Sequence, residues 1–370
     1  MNQKRLVDEF CKLVEIDSPS FHEREMADVL KGYLVELGFE VFEDNANEVY
    51  DSECGNVYGY LEGSMEGDPI LFSAHMDTVE PALNKKAIVK EDGRIVSDGT
   101  TVLGADDISG IVAILEAIRY LKENKLNHRS IEILFPIAEE PYLRGSEVID
   151  YSRIKSKEAY VLDLTGPIGG VANQAPTVFS VEVVIEGKAS HAGFAPEKGI
   201  NAIAIAATAI NRLKLGRIDG ETTVNIGTIE GGLATNIVPS QCKVKGEIRS
   251  FDHEKALAQS QAMEKIFIEA TKEYGGDCKI NIVPGCIAYL VEKEHPVMRR
   301  FQKVCGNLDI EVNIQKTFGG SDNNNFYRHG IKGLVIACGM HQVHSCDEYT
   351  TIEDLTKITK IVEELMVSKD

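Results

Sequence analysis

The sequence predicts an α/β fold whose first domain is interrupted by a smaller α+β domain of βαββαβ order. Three features carry this expectation. Helical periodicity alternates with short runs that are apolar on both faces, the texture after Gly170 turns β-branched and partly alternating, and the first kind of pattern returns beyond His295. At 370 residues the chain is too long for one ordinary core, which favours about two domains.

Apolar residues recur at helical spacing from Gln3 to Ile16 (Leu6, Val7, Phe10, Leu13, Val14) and again from Glu23 to Gly38, where Gly38 is placed to end the helix. Phe39 to Phe42, Asn56 to Leu61 and Pro69 to Ala74 read as strands, the last apolar on both faces and so suited to the middle of a sheet. A helix over Gly110 to Glu123 is followed by apolar strands at Ser130 to Ala138 and Ala159 to Leu164. Thr177 to Glu186 then reads as an antiparallel strand with one wet face. A helix (Gly199 to Leu213), two strands (Thr222 to Glu230, Lys243 to Ser250), a long helix (His253 to Tyr274) and a strand (Cys278 to Val283) complete a split βαββαβ order. Gly333 to Cys338 reads as a buried strand and Ile352 to Met366 as a terminal helix. The expected boundaries are residues 1–175 with 288–370 for the first domain and 176–287 for the insertion.

With 43% hydrophobic and 26% charged residues the composition is that of a folded protein. No apolar run approaches the roughly 18 to 20 residues of a membrane helix, and Met1 to Phe10 mixes charge with apolar residues, so no membrane partner and a cytoplasmic location are expected. The eight cysteines are scattered singly, which fits reduced thiols and neither a disulfide framework nor a thiolate zinc site. A net charge of -19 argues against nucleic acid, whose phosphates need clustered Lys and Arg.

Five clusters carry chemistry. In open α/β sheets, active residues gather at the carboxyl ends of strands. His75 and Asp77 follow one such strand, two apart and on one side if extended; a carboxylate near an imidazole fixes its tautomer and raises its basicity. Gly104-Ala105-Asp106-Asp107 stands directly before a helix, where one acid can cap while its neighbour bridges two cations. Glu139-Glu140 ends an apolar strand, a costly place for two like charges unless a cation or a proton compensates. Asp163 lies inside an apolar strand, and His344 lies in His341-Gln342-Val343-His344. Each alone is an ordinary polar feature. Together, imidazole and oxygen donors without cysteine suit zinc, with Co2+ or Mn2+ as substitutes, and a shared carboxylate suits two ions roughly 3.5 to 4 Å apart.

These motifs resemble the M20 family of metallopeptidases, in particular its peptidase T-like branch. The resemblance runs along the chain through His75-Met76-Asp77-Thr78-Val79, Gly104-Ala105-Asp106-Asp107, Glu139-Glu140, Leu162-Asp163 with Gly166-Pro167-Ile168-Gly169, Ser190-His191-Ala192-Gly193, Thr235-Asn236-Ile237-Val238-Pro239, Gly246-Glu247-Ile248-Arg249, Gly319-Gly320-Ser321-Asp322 and His344. It implies a zinc-peptidase-like catalytic domain with an inserted lid or dimerisation domain. One zinc would be held by His75, Asp106 and Asp163 and a second by Asp106, Glu140 and His344. Asp77 would orient His75, Glu139 would act as general base, and His191, Asn236 and Arg249 would contact substrate. It also implies a homodimer that removes the N-terminal residue from tripeptides, with an N-acyl amino acid deacylase or a carboxypeptidase as rivals on the same scaffold. A catalytically silent binding protein is a rival of another class, opposed by the presence of every ligand and of the base. Two departures bear on substrate preference: Ile108 stands where many relatives have Lys, and Tyr142 where many have Gly.

Overall fold

The computed structural model describes residues 1–368, which form two compact units: 1–174 with 290–317 and 321–368, and 175–289 with 318–320. Phe318 joins the second unit through the Arg249 guanidinium, which donates to its carbonyl, and through an edge contact with Phe251.

The first unit is organised by a nine-stranded mixed sheet. Its centre is parallel: Ile131–Phe135, Ile70–Ser73, Glu158–Leu164 and Lys332–Ala337 lie side by side in that order. Val57–Leu61 and Glu40–Glu43 extend one edge antiparallel, and Gly170–Ala175 pairs antiparallel on the other. Residues of both parities are buried, as parallel strands covered on two faces require. Leu71, Leu134, Val161 and Val335 join Phe326 of the short helix Asp322–Arg328 in one cluster. The long helix Ala105–Asn124 packs on the strands Ile70–Ser73 and Glu158–Leu164, with Gln3–Val14 and Ile352–Val367 against it. At Gly110 the approach is so close that an added Cβ would stand 2.8 Å from Leu162 Cβ, so only glycine lets the helix seat beside the strand that carries Asp163. Gly38 does end its helix, at φ +78 with Phe39 N–H reaching back to Leu34.

The second unit is an antiparallel sheet in the order Gly216–Arg217, Thr222–Gly231, Gln241–Ser250, Thr177–Glu186, Asp277–Cys286. Ala202–Arg212 and His253–Tyr274 pack on it, closing a core of Val181, Val183, Ile185, Ala206, Val244 and Phe267. This is the expected βαββαβ arrangement.

Three features were not legible. Gly170–Ala175 is a six-residue strand of the main sheet where the sequence shows only a change of texture. A three-stranded sheet joins Ile88–Val89, Arg94–Val96 and Tyr349–Thr351. Asp322–Arg328 is a seven-residue helix with three asparagines in its first turn, of which Asn324 accepts the Ser321 N–H at its start. None has a periodicity long enough to read. Among the described residues, no helix is long and apolar enough to cross a membrane.

Candidate metal centre

Strand ends and loops of the first unit bring the suspected ligands together in two groups that share Asp106. His75, Asp106 and Asp163 form one group, and Asp106, Glu140 and His344 the other; within each, one donor atom per residue lies within 4.8 Å of the others. His75 Nε2 is 3.0 Å from Asp106 Oδ1, while His344 Nε2 is 3.2 Å from Asp106 Oδ2 and 3.1 Å from Glu140 Oε1. The two oxygens of one carboxylate thus face two imidazoles.

The support beneath these groups is specific. His75 Nδ1 lies 2.9 Å from the main-chain oxygen of Asp77, which accepts a hydrogen bond from Nδ1–H and leaves Nε2 to face Asp106. The Asp77 carboxylate is 3.4 Å from that same nitrogen, and its oxygens also accept the Glu139 and Glu140 amides at 2.9 and 3.3 Å and the Ser20 hydroxyl at 2.6 Å. Asp77 therefore ties the histidine to the paired glutamates. Asp107 accepts from Gly110 N–H in the helix and from His75 N–H, so it caps while Asp106 faces the histidines.

Electrostatics explain why cations fit. Glu139 is 7% exposed and its pKa is held well above the usual range by burial first and then by the charge of Asp163. Asp163 is raised by burial and by Asp106, and Asp322, close enough to act on both, is pushed up to about 6 by burial. Burial opposes a charge on His75, yet Asp106 and Asp77 outweigh it and raise its pKa. Hydrogen bonds from its ring to the carboxylates of Asp106, then Glu140, push His344 up to about 10. Such crowding of buried carboxylates is what a pair of cations relieves. Cys338, 3.6 Å from Asp107, offers no thiolate, because burial and then the charge of Asp107 raise its pKa strongly.

The second unit holds the other three candidates. His191 is exposed; its Nδ1 accepts from Gly193 and Phe194 amides, both at 3.1 Å, and its backbone bridges to Ile237 beside Asn236, which is also exposed. Arg249 is half-buried in an ion pair with Glu247.

Sequence reasoning gave no role to two buried acids. Glu23 accepts the amides of Phe21 and Ala138 at 2.9 Å, holding the turn that presents Glu139. Glu348 accepts the amides of Gly104 and Asp106 at 2.7 and 2.9 Å. Glutamates at a helix start or in an acidic loop give no warning of burial; both are visible only in three dimensions. Tyr142 has φ +74, a left-handed conformation that glycine adopts without strain.

Comparison with known proteins places these features. A peptidase dimerisation domain of the M20 type matches residues 176–275, and a peptidase family M28 pattern matches 56–209. The chain is 40% identical over 362 residues to the uncharacterized protein YqjE of Bacillus subtilis, covering 98% of this chain and 97% of that one. Crystal structures of the aminopeptidase PepT from Bacillus cereus (39% identity, TM-score 0.92) and of a tripeptidase from Staphylococcus aureus (34%, TM-score 0.96) each align over 99% of this chain and 98% of theirs. The M28 pattern stops within the second unit, whereas these relatives align from end to end, and on that likeness the chain belongs to the M20 family of metallopeptidases, in its peptidase T-like branch.

Proposed function

We propose that this metallopeptidase releases the N-terminal residue of tripeptides, using Glu139 as general base beside two zinc ions. The observation that carries the reading is the pair of ligand groups meeting at Asp106 with buried Glu139 alongside. The names of the Bacillus cereus aminopeptidase and the Staphylococcus aureus tripeptidase support the substrate class.

His75, Asp106 and Asp163 would hold one cation and Asp106, Glu140 and His344 the other. Two imidazoles with carboxylates and no thiolate suit Zn2+, with Co2+ or Mn2+ as working substitutes. Bound there, the ions supply Lewis acidity and lower the pKa of water. Glu139 then takes the proton of the attacking water on a carboxylate oxygen and hands it to the leaving amine. Its raised pKa in the absence of cations marks a site where a proton is easily held. Asp77 keeps His75 in the tautomer that presents Nε2 and holds the Glu139 amide. His191, Asn236 and Arg249 are proposed as substrate contacts, His191 steadying the oxyanion. A dimer formed through the second unit is supported by the dimerisation-domain match. A cytoplasmic location is supported by eight cysteines that are all free.

The test is amino-acid release from a tripeptide, from its N-acetylated form and from an N-acyl amino acid. Cleavage of the free tripeptide alone is expected. Preferential cleavage of either blocked compound would replace the aminopeptidase reading with a deacylase or carboxypeptidase. Glu139→Ala should lower kcat by about 10² to 10⁴-fold while two zinc ions per chain remain; undiminished turnover would remove Glu139 from the mechanism.

A further inference from the structure

His344 lacks the support its partners enjoy. His75 is 2% exposed at a strand end, whereas the His344 side chain is 52% exposed on a loop, with φ +60. Burial does not hold this imidazole in place, so the loop sets where it meets Asp106 and Glu140. That loop is pinned at its base by reciprocal hydrogen bonds between His341 and Tyr349, each 3.0 Å. Within it, Glu348 N–H reaches Ser345 O at 3.1 Å.

The Glu348 side chain turns inward from the same loop and is 1% exposed. One oxygen accepts Gly104 N–H and the other Asp106 N–H. Gly104 is left-handed at φ +78, and Asp106 is non-helical at φ -85, ψ 99, so both amides lie where a helix supplies no acceptor. The charge of Glu348 acts in turn on buried Lys85, whose ammonium donates to Ile16 O and Thr78 Oγ1. A single buried carboxylate thus spans the loop that carries His344 and the segment that carries the shared Asp106.

We propose that Glu348 is a positioning residue for the second cation: its two amide contacts fix the distance between His344 and Asp106, and so set affinity at the Asp106, Glu140 and His344 group. The inference rests on the two-cation reading above. The bland competitor is a helix cap that contributes stability only. A cap would affect both groups alike through folding, whereas a clamp affects one.

The experiment titrates metal-free protein with Co2+, following the absorption of each bound equivalent and the melting temperature before metal is added. The unaltered protein should take up two ions. Glu348→Gln keeps the shape but sets an amide NH2 against a backbone N–H. It should weaken one equivalent by about 10 to 100-fold and leave the other unchanged, as loss of a partner behind a ligand typically does. Glu348→Asp keeps the charge with shorter reach, and should weaken the same equivalent by less; it carries the test if the Gln variant folds poorly. His344→Ala should lose that equivalent, and adding Glu348→Gln to it should change the remaining one by less than about twofold. Unchanged binding in Glu348→Gln, parallel weakening of both equivalents, or a further loss in the double variant would overturn the clamp while leaving the two-cation reading standing. Failure of the unaltered protein to bind two ions would overturn both.

Discussion

The two halves of the metal centre share a carboxylate but are built differently. His75 and Asp163 lie at the ends of adjacent parallel strands, Ile70–Ser73 and Glu158–Leu164, and are backed by the helix that Gly110 lets come close. Glu140 and His344 stand on turns: Leu143 N–H closes on Glu139 O at 2.6 Å, and Tyr142, Leu143, Gln342 and His344 all have positive φ. A sheet fixes side chains through many backbone bonds at once, whereas a turn does so through the few that happen to close it. The strand-borne half is therefore the rigid one and the loop-borne half the adjustable one.

Asp106→Asn attacks what the halves have in common. It should lose both cations on dialysis and lower tripeptide turnover by about 10³-fold or more; retention of one tightly held ion would break the picture of a shared bridge. The contrast itself is sharpened by two histidine variants measured without metal. His75→Ala leaves Asp106 Oδ1 and the Asp77 carbonyl without their partner and should cost roughly 1–3 kcal/mol in denaturant unfolding. His344→Ala, from a half-exposed loop position where solvent screens its pairs with Asp106 and Glu140, should cost less than His75→Ala. Equal costs would remove the distinction.

Titration probes the same asymmetry. Burial pushes Glu23 and Glu348 up to about 7 and Asp322 to about 6, from ordinary values of 4.5, 4.5 and 3.8. Between the unfolded and folded values the native state binds more protons, so this contribution is fully present below the lower value and is lost as pH rises through the upper one. The metal-free protein should accordingly melt at higher temperature at pH 6 than at pH 8, and saturating Zn2+ should shrink the difference; a melting temperature that climbs from pH 6 to 8 would contradict it. The smallest effect is expected at Tyr142. Tyr142→Gly relieves a left-handed tyrosine and should change stability by about 1 kcal/mol in the favourable direction, with any change in peptide preference appearing in KM.

Much of the fold could be read from local pattern. The helix His253–Tyr274 and the strand Thr177–Glu186 fall where periodicity and alternation put them, because each needs only neighbours three, four or two residues away. Elements too short to show a period, such as Gly170–Ala175 and Asp322–Arg328, take their form from the sheet and cap they join. The acids at strand ends stood out because charge next to an apolar run is expensive. Glu23 and Glu348 did not, since nothing adjacent in sequence reveals that they are buried.

The linear sequence by itself determined which residues are chemically able to hold cations and which segments become helix or strand, since both depend on residue type and short-range spacing. Only the tertiary structure decided that Asp106 faces two histidines, that Asp77 serves His75 through its carbonyl as well as its carboxylate, and that Glu348 spans a loop and a helix start. The contacts at Asp106 and Glu348 join residues far apart in the chain, and their geometry is set by how the sheet brings strand ends and loops to one place.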